Sequence, residues 1–417
     1  MKIQNFINGD FAEPISGNYF DNITPVTGEV YSQIPDSDSS DIDLAVSSAK
    51  EAFKSWSKLS KNERYDHIMH LADEIKAHFD ELVEAESKDN GKPEWLARSV
   101  DIPRASENFR FFATASLHFD SEIHEMDGKA LNYTLRQPVG VVGCISPWNL
   151  PLYLLTWKIA PALAAGNTVV AKPSEITPMT AYLFSKFCQK ADFPKGVINI
   201  VHGYGHKVGD ALSRHPDVPI ISFTGGTATG EKIAAVAAPM FKKLSLEMGG
   251  KNPNIIFEDA DFDNAVKMSA KAAFSNQGQI CLCGSRLFVQ ESIYDKFRTA
   301  VIQETQTLKV GDPKDEKSNL GAVVSKPHME KILNCIERSK EEGGEILTGG
   351  NRVILKGNLK DGYYIEPTII DGLTANCKTN QEEIFGPVVS MIPFKSEEEV
   401  IEMANSTKYG LSASLFT

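Results

Sequence analysis

The strongest constraint on the fold is a regular alternation of strand and helix patterns between Pro138 and Glu247. Short apolar runs typical of buried strands are each followed by a stretch with helical periodicity. Strands joined by helices form parallel sheets covered on both faces, so we predict an α/β fold with a doubly wound, Rossmann-like sheet. The predicted strands are 139–145, 167–171, 197–201, 220–223 and 243–247, and the predicted helices are 154–165, 178–190, 206–213 and 230–238.

The loops that leave these strands are the expected ligand-binding segments, because parallel sheets bind ligands beyond the carboxyl ends of their strands. A second α/β pattern follows Lys251, which indicates a domain boundary near 248–253. Residues 41–115 have a helical period, whereas turn residues in the first 40 positions indicate small strands or hairpins. In the second pattern the predicted strands are 254–257 and 287–289, and the predicted helices are 263–276 and 292–308.

The composition excludes several classes of partner. The 417 residues include 43 basic and 55 acidic side chains, a net charge of −12, which disfavours nucleic acid and anionic membranes. The N-terminal residues lack the apolar core of a signal peptide, and no apolar run approaches the ~20 residues of a membrane span. Six cysteines are too few for a disulfide framework, which favours the cytoplasm. No metal site is expected. His67 and His70 lack an intervening glutamate and the other histidines are scattered, while Cys281 and Cys283 are too close for a zinc ribbon and have no second cysteine pair.

Three polar side chains are candidates for catalysis. Cys281 follows a small polar loop where backbone N–H groups could stabilise a thiolate, although an inert cysteine is the alternative and Cys283 is the natural control. Glu247 ends a predicted strand and is a candidate general base, or else a solvated or ion-paired carboxylate. Asn149 lies in a rigid turn between two prolines, where its amide could donate to an oxyanion or bond its own backbone.

Lys172 and Glu175 follow the second predicted strand, where Rossmann-type folds hold a ribose. The carboxylate could accept from ribose hydroxyls and the lysine could donate to them, and an exposed loop pair is the alternative. The glycine-rich turns at 203–209 and 225–226 could approach a pyrophosphate, but each is a weak indication by itself.

Six motifs follow one another in an informative order: Pro147-Trp-Asn-Leu-Pro151, Lys172-Pro-Ser-Glu175, Phe223-Thr-Gly-Gly226, Leu246-Glu-Met-Gly-Gly-Lys251, Asn276-Gln-Gly-Gln-Ile-Cys281 with Arg286, and Glu382-Glu-Ile-Phe-Gly-Pro387. Together they resemble the NAD(P)-dependent aldehyde dehydrogenase superfamily, and the resemblance extends from Phe6 to Phe416. It implies that Cys281 is the nucleophile, that Asn149 and the Cys281 N–H stabilise the oxyanion, and that Glu247 activates the deacylating water. Gly226 departs from the pattern, because many members have serine there.

The resemblance also implies a coenzyme site. NAD is favoured over NADP, because a carboxylate at Glu175 repels a 2′-phosphate. Glu383 is implied to bind the nicotinamide ribose, with Phe385 near the ring. The full set of implied coenzyme residues is Ile145, Ser146, Pro147, Trp148, Lys172, Ser174, Glu175, Gly205, Gly209, Phe223, Thr224, Gly225, Gly226, Met248, Gly249, Glu383 and Phe385.

Four segments, 101–104, 108–112, 149–157 and 275–283, resemble the branch that oxidises 2-aminomuconic or 2-hydroxymuconic 6-semialdehyde. These substrates carry carboxylates, for which arginine is the expected ligand. Arg104 is the first candidate, because its helix position resembles one that lines the family's substrate entrance, and Arg110 is the second. A structural ion pair is the alternative for both. A dehydrogenase of betaine aldehyde or an aliphatic aldehyde, and a non-catalytic relative, are the alternative functions.

The implied domains are a coenzyme-binding domain at 1–116 and 138–248, an oligomerisation hairpin at 117–137 and a catalytic domain at 249–417. Association into homodimers or homotetramers would use the hairpin, where 132–136 has a strand pattern. Members of the family usually continue beyond the position of Thr417, so the catalytic domain is expected to be incomplete at its C-terminal end.

Overall fold

The computed structural model describes residues 1–417, which divide into two compact units. The first consists of Met1–Asn22, Tyr31–Glu86 and Arg98–Glu247, and the second of Ile23–Val30, Ser87–Ala97 and Met248–Thr417. The boundary after Glu247 lies one residue from the predicted one. The segments 23–30 and 87–97 differ from the prediction, because they belong to the second unit. Backbone hydrogen bonds explain this: the N–H groups of Tyr363 and Ala322 donate to the carbonyls of Pro25 and Gly91, at 3.0 and 2.9 Å.

Strands and helices alternate through most of the chain. The strands are β1 Asn5–Ile7, β2 Asp10–Ala12, β3 Tyr19–Ile23, β4 Val30–Pro35, β5 Ile123–Met126, β6 Ala130–Tyr133, β7 Val141–Ile145, β8 Thr168–Lys172, β9 Ile198–Ile200, β10 Ile220–Thr224, β11 Lys243–Glu247, β12 Pro253–Ile256, β13 Arg286–Gln290, β14 Glu345–Thr348, β15 Arg352–Val353, β16 Tyr364–Ile365, β17 Thr368–Asp371, β18 Val388–Phe394 and β19 Ser414–Phe416. The α-helices are α1 Ser39–Trp56, α2 Lys61–Ala77, α3 Phe79–Asn90, α4 Glu94–Leu96, α5 Ile102–Leu117, α6 Pro151–Ala164, α7 Met179–Lys190, α8 Asp210–Arg214, α9 Thr227–Ala237, α10 Phe262–Phe274, α11 Tyr294–Gln306, α12 Lys326–Glu341, α13 Lys378–Gln381 and α14 Glu397–Ala404.

The first unit contains a seven-stranded sheet in the order β11-β10-β7-β8-β9-β1-β2. Its five strands from β11 to β9 are parallel, and β1 and β2 complete one edge in the antiparallel sense. Every residue of β7 and β8 is buried, as expected for central strands of a parallel sheet covered on both faces. The predicted Rossmann-like sheet is therefore confirmed.

The second unit contains a six-stranded sheet in the order β14-β17-β18-β13-β12-β19. All its neighbours are parallel except β14 and β17. Apolar side chains of β12, β13 and β18 pack with those of α10 and α11 to form its main core, which includes Ile256, Phe274, Leu287, Phe297 and Met391. This sheet confirms the second α/β pattern predicted after Lys251.

The helices differ from their predicted bounds by up to a few residues, and in two of them the difference comes from an irregular backbone. The helix predicted at 263–276 ends at Phe274, because Asn276 and Gln277 adopt left-handed backbone angles with φ of 51° and 55°. The helix predicted at 206–213 begins with a π-helical turn at Gly205–Gly209 before α8. Both irregularities lie beside segments that carry the candidate site residues, where such distortions are often found.

The pair β5 and β6 forms a separate two-stranded antiparallel hairpin, and all eight of its strand residues are exposed. It lies within the segment predicted to mediate oligomerisation. No helix of the protein combines the length and the apolar character that crossing a membrane requires.

Candidate active site

Three polar segments meet at the carboxyl edge of the first sheet. They are the loop after β7 with Asn149, the turn after β10 that begins at Gly225, and the end of β11 at Glu247. The sheet has a topological switch point between β7 and β10, because β8 and β9 lie on one side of β7 and β10 and β11 on the other. Open α/β sheets bind ligands at such points. The Gly225 N–H donates to the Glu247 carbonyl at 3.0 Å. The Asn149 side chain is buried, and Glu247 is exposed.

A buried cation lies in α6 near this edge. Burial lowers the pKa of Lys158 to about 8, while Cys144 and Glu247 oppose that shift. Its ammonium group donates to the Ser222 hydroxyl at 3.3 Å. The Lys158 charge therefore contributes to the electrostatic environment of Glu247.

The segment after β8 contains a compact polar network. The Lys172 ammonium donates to the Glu175 carboxylate at 2.5 Å, and the Gly205 N–H donates to its other oxygen at 3.2 Å. Burial by itself raises the pKa of Glu175, but the Lys172 charge and these hydrogen bonds outweigh it and lower that pKa. Glu175 is therefore ionised at neutral pH. A negatively charged acceptor at the end of the second central strand fits ribose hydroxyls.

The start of α9 fits a pyrophosphate. Gly226 is its N-cap, and no side chain caps the helix. A Cβ placed on Gly226 would meet no heavy atom within 4 Å, so the approach to the N–H groups of Thr227 and Ala228 at the start of the helix is open. Uncapped helix N-termini attract phosphates. Together with the Lys172–Glu175 pair, these residues fit the adenosine and pyrophosphate end of a dinucleotide.

The structure brings most predicted coenzyme residues to this edge. They form five groups at the ends of β7, β8, β9 and β10: Ile145, Ser146, Pro147 and Trp148; Lys172, Ser174 and Glu175; Gly205 and Gly209; Phe223 and Thr224; Gly225 and Gly226. The other four, Met248, Gly249, Glu383 and Phe385, lie in the second unit. The predicted set is thus divided between two sheets.

In the second unit, Cys281 lies in the turn that leads to β13. The Cys283 N–H donates to the Ile280 carbonyl at 3.0 Å and closes this turn. Cys281 is partly exposed and lines a small cavity with Gly250, Glu383 and Phe385. Cys283 is buried, and burial raises the pKa of its thiol to about 12. Of the two thiols, Cys281 is the one suited to nucleophilic chemistry.

Glu383 packs tightly against the glycines that follow Met248. Its carboxylate accepts a hydrogen bond from the Gly250 N–H at 3.0 Å. A Cβ on Gly249 would lie 2.2 Å from a Glu383 oxygen, so only glycine permits this approach. Burial raises the pKa of Glu383, and the Gly250 hydrogen bond, Lys331 and Lys251 oppose that shift.

Phe385 has a strained backbone, with φ of 62°. The His328 ring Nε2 lies 2.7 Å from the Phe385 carbonyl oxygen, and the two rings approach edge to face with centroids 6.4 Å apart. Burial lowers the pKa of His328 to about 4, with the Phe385 hydrogen bond opposing the shift, so the ring is neutral at physiological pH. The neutral tautomer that carries its proton on Nε2 donates to the Phe385 carbonyl.

The two candidate substrate arginines have different surroundings. Arg110 forms an ion pair with Asp73 on α2. Arg104 is exposed, has no carboxylate partner, and its guanidinium lies 5.9 Å from the centroid of the Tyr153 ring. Tyr153 lies on α6, four residues after Asn149. The environment of Arg104 therefore leaves its charge available to an anion.

Sequence reasoning missed two residues of the second unit, His328 and Asn252. The Asn252 side chain donates to the Cys281 carbonyl at 2.7 Å and to the Cys283 carbonyl at 3.0 Å. Neither residue stands in a recognisable motif of its own. The only local signal for Asn252 is its position directly before Pro253, at the end of the glycine turn.

The whole chain is similar to proteins of one family. The profile of the aldehyde dehydrogenase family matches residues 11–417. The chain is 50% identical over 420 residues to 2-aminomuconic semialdehyde dehydrogenase of Homo sapiens, covering 100% of this chain and 86% of that protein. It is 44% identical over 422 residues to 2-hydroxymuconic semialdehyde dehydrogenase of Pseudomonas sp. (strain CF600), covering 100% and 87%. It matches the NAD+ complex of aldehyde dehydrogenase from Bacillus cereus with a TM-score of 0.97 and 40% identity, covering 100% of this chain and 84% of that one. The protein is therefore a member of the aldehyde dehydrogenase family.

Proposed function

We propose that the protein oxidises a carboxylate-bearing semialdehyde to the corresponding acid with NAD as the oxidant, through a thioester on Cys281. Membership of the family makes it an oxidoreductase that acts on aldehydes. The observation that carries the proposal is the contrast between two thiols in one turn. Cys281 is partly exposed beside Glu383 and Phe385, whereas Cys283 is buried with a pKa of about 12.

The reaction begins when the Cys281 thiolate attacks the aldehyde carbon, so that a C–S bond forms and the carbonyl oxygen takes the negative charge. The Asn149 amide and the Cys281 backbone N–H donate hydrogen bonds to this oxyanion. Collapse of the thiohemiacetal restores the C=O bond and breaks the C–H bond, which requires a hydride acceptor. Glu247 then deprotonates a water molecule, which hydrolyses the thioester, releases the acid and regenerates the thiolate.

Bound NAD supplies the hydride acceptor. The residues proposed to hold its ribose and pyrophosphate groups are Lys172, Glu175, the first turn of α9, and Glu383. The ionised Glu175 favours a free 2′-hydroxyl and repels a 2′-phosphate, which supports NAD over NADP. The relative from Bacillus cereus forms an NAD+ complex.

Arg104 supports a substrate with a carboxylate. It is exposed and lacks an acidic partner in a protein whose net charge is −12, whereas Arg110 is paired with Asp73. The relatives from Homo sapiens and Pseudomonas sp. are named for the 2-aminomuconic and 2-hydroxymuconic semialdehydes. We therefore place Arg104 at the carboxylate of a semialdehyde of this class, with Arg110 as the second candidate.

Steady-state kinetics test this function. Wild-type enzyme is expected to use muconic-type semialdehydes with a higher kcat/KM than betaine aldehyde or an aliphatic aldehyde, and NAD in preference to NADP. Cys281→Ala abolishes NADH formation and Cys283→Ala preserves it; activity in Cys281→Ala contradicts the nucleophile assignment. Arg104→Ala raises KM for the anionic semialdehyde about tenfold more than for a neutral aldehyde, because a charge-assisted contact is lost. Arg110→Ala is expected to affect both substrates equally, because Arg110 is paired with Asp73; a selective rise in KM for the anionic semialdehyde would instead assign the carboxylate to Arg110.

We further propose that the β5–β6 hairpin mediates self-association into a homodimer or homotetramer. Ile123, Leu131 and Tyr133 lie on one face of this isolated ribbon and are each more than 60% exposed. Exposed apolar patches of this kind mark protein interfaces. Leu131→Asp is expected to lower the mass measured by light scattering, while the same mass in wild type and variant contradicts the proposal.

The cytoplasm is the proposed compartment. None of the six cysteines forms a disulfide, and four of them are buried. Cysteines that remain reduced in this number are typical of proteins kept in a reducing environment. Fractionation of the producing cells, with activity as the marker, tests this location.

A further inference from the structure

Asn252 connects four backbone segments of the second unit. It is the last residue before β12, and its side chain is 3% exposed. Its amide NH2 donates to the carbonyls of Cys281 and Cys283, and its amide oxygen accepts from the Ser412 N–H at 3.1 Å. Its backbone carbonyl accepts from the Arg286 N–H at 3.2 Å.

This hydrogen-bonding pattern requires asparagine in one orientation. Two carbonyl oxygens need donors and one N–H needs an acceptor, which matches the two N–H groups and one oxygen of the amide. A rotated amide would place its oxygen against two carbonyl oxygens. Aspartate would do the same with a full negative charge, and alanine would leave the Cys281 carbonyl without this donor in a buried site.

The packing around Asn252 leaves the turn of Cys281 little freedom. A Cβ on Gly250 would lie 2.6 Å from the Asn252 amide oxygen and 3.0 Å from the Cys281 carbonyl oxygen. Two backbone hydrogen bonds already close this turn: the Cys283 N–H donates to the Ile280 carbonyl, and the Ser285 N–H donates to the Cys283 carbonyl at 2.9 Å. The Asn252 side-chain amide adds further bonds to the same turn. The direction of the Cys281 side chain depends on this backbone, because Cβ is fixed by the positions of N, Cα and C.

We propose that Asn252 is the positioning residue for the Cys281 nucleophile: by holding the carbonyls of Cys281 and Cys283 together, it fixes the direction of the thiol and of the Cys281 N–H. This inference rests on the proposed role of Cys281 as nucleophile. The proposal involves no contact between Asn252 and the substrate. Its effect is on the geometry of the attack, where a displacement of about 1 Å can reduce the rate about 10²-fold.

Asn254 provides a matched control. It lies two residues further along the chain, within β12, is 1% exposed, and its amide makes two side-chain hydrogen bonds. Those bonds are to the hydroxyls of Ser269 and Ser414, not to the nucleophile turn. Replacing either asparagine by alanine therefore removes a buried amide from the same region, but only one replacement releases Cys281.

The experiment compares Asn252→Ala, Asn254→Ala and Asn252→Ser in the full chain. It measures kcat and KM with a semialdehyde and NAD, the thermal midpoint, and the pH profile of Cys281 alkylation by iodoacetamide, read by mass spectrometry. We expect kcat of Asn252→Ala to fall about 10²-fold with an altered alkylation profile. Asn254→Ala should lose a comparable amount of thermal stability but keep the wild-type kcat and the wild-type pH profile of Cys281 alkylation. Asn252→Ser retains one hydrogen-bond donor, so its kcat and alkylation profile should lie between those of the wild type and of Asn252→Ala. If Asn252→Ala does not fold, Asn252→Ser is tested in its place.

The inference is wrong if Asn252→Ala keeps the wild-type kcat and alkylation profile, or if Asn254→Ala loses both to the same extent. Failure of the proposed function gives a different result. In that case Cys281→Ala remains active, or iodoacetamide modifies Cys281 without loss of activity, whatever residue occupies position 252.

Discussion

The two parallel sheets present their candidate residues at opposite ends of their strands. In the first unit, Asn149, Glu175 and Glu247 follow or end β7, β8 and β11, so they lie at the carboxyl edge. In the second unit, Asn252, Cys281 and Phe385 precede β12, β13 and β18, so they lie at the amino edge of that sheet. The first arrangement follows the general rule for ligand binding by α/β sheets, and the second does not.

The two edges also differ in packing. At the first, the glycine at the start of α9 faces open space. At the second, a Cβ on Gly249 or Gly278 would lie 2.2 or 2.1 Å from an oxygen of the 383–386 loop. We infer that the first edge is built to admit a ligand and the second to hold reactive groups in a fixed geometry. The following predictions test that division, in order of decreasing effect.

Glu247→Gln tests whether the first edge supplies the base for deacylation. The amide cannot take a proton from water, so thioester hydrolysis should slow by about 10²–10⁴-fold while acylation and the first hydride transfer remain. Stopped-flow absorbance should show a burst of NADH followed by slow turnover. Loss of the burst would show that Glu247 acts before deacylation.

Gly278→Ala tests the close packing of the second edge. Gly278 has φ of 68°, and its added Cβ would lie 2.1 Å from the Gly386 carbonyl oxygen. Backbone strain and this overlap should together reduce the free energy of unfolding by about 2–3 kcal/mol in urea denaturation, and displacement of the 383–386 loop should raise KM for NAD. Gly410→Ala in the same unit is the control, because no heavy atom lies within 4 Å of its Cβ. Equal stability of the two variants would contradict the proposed rigidity.

The acid dependence of stability tests the polar network of the first edge. Lys172 lowers the pKa of Glu175 in the folded protein. The ionised carboxylate therefore stabilises the fold at pH values above its unfolded pKa of about 4.3. That contribution is lost as the pH falls through the lower pKa of the folded protein. The difference in thermal midpoint between wild type and Glu175→Gln should therefore be constant near neutrality and shrink below about pH 4. A difference that is unchanged at acid pH would contradict a charge-based role.

The sequence predicted the first edge better than the second, and the reason is physical. The observed bounds of β11, Lys243–Glu247, are the predicted ones. The periodicity of the strands also predicts where the loops at the carboxyl edge of the first sheet begin. The second edge depends on contacts between distant residues, such as Asn252 with Cys281 and His328 with Phe385, which are 29 and 57 positions apart. No local pattern encodes those contacts. The left-handed angles at Asn276 and Gln277, which end α10 early, are likewise fixed by tertiary hydrogen bonds such as that from the Gln277 amide to the Ala322 carbonyl at 2.9 Å.

Gly226→Ser tests the openness of the first edge with the smallest expected change. Position 226 has φ of −67° and ψ of 143°, which serine adopts without strain, and a hydroxyl at an N-cap stabilises a helix relative to glycine by a few tenths of a kcal/mol, about 0.3. The thermal midpoint without coenzyme should therefore rise slightly, since no neighbouring atom opposes the new side chain. The KM for NAD then separates two effects of the serine hydroxyl. A lower KM for NAD means that the hydroxyl donates a hydrogen bond to the pyrophosphate. A higher KM for NAD means that the hydroxyl instead accepts from the N–H groups of α9 that we propose to bind the phosphate.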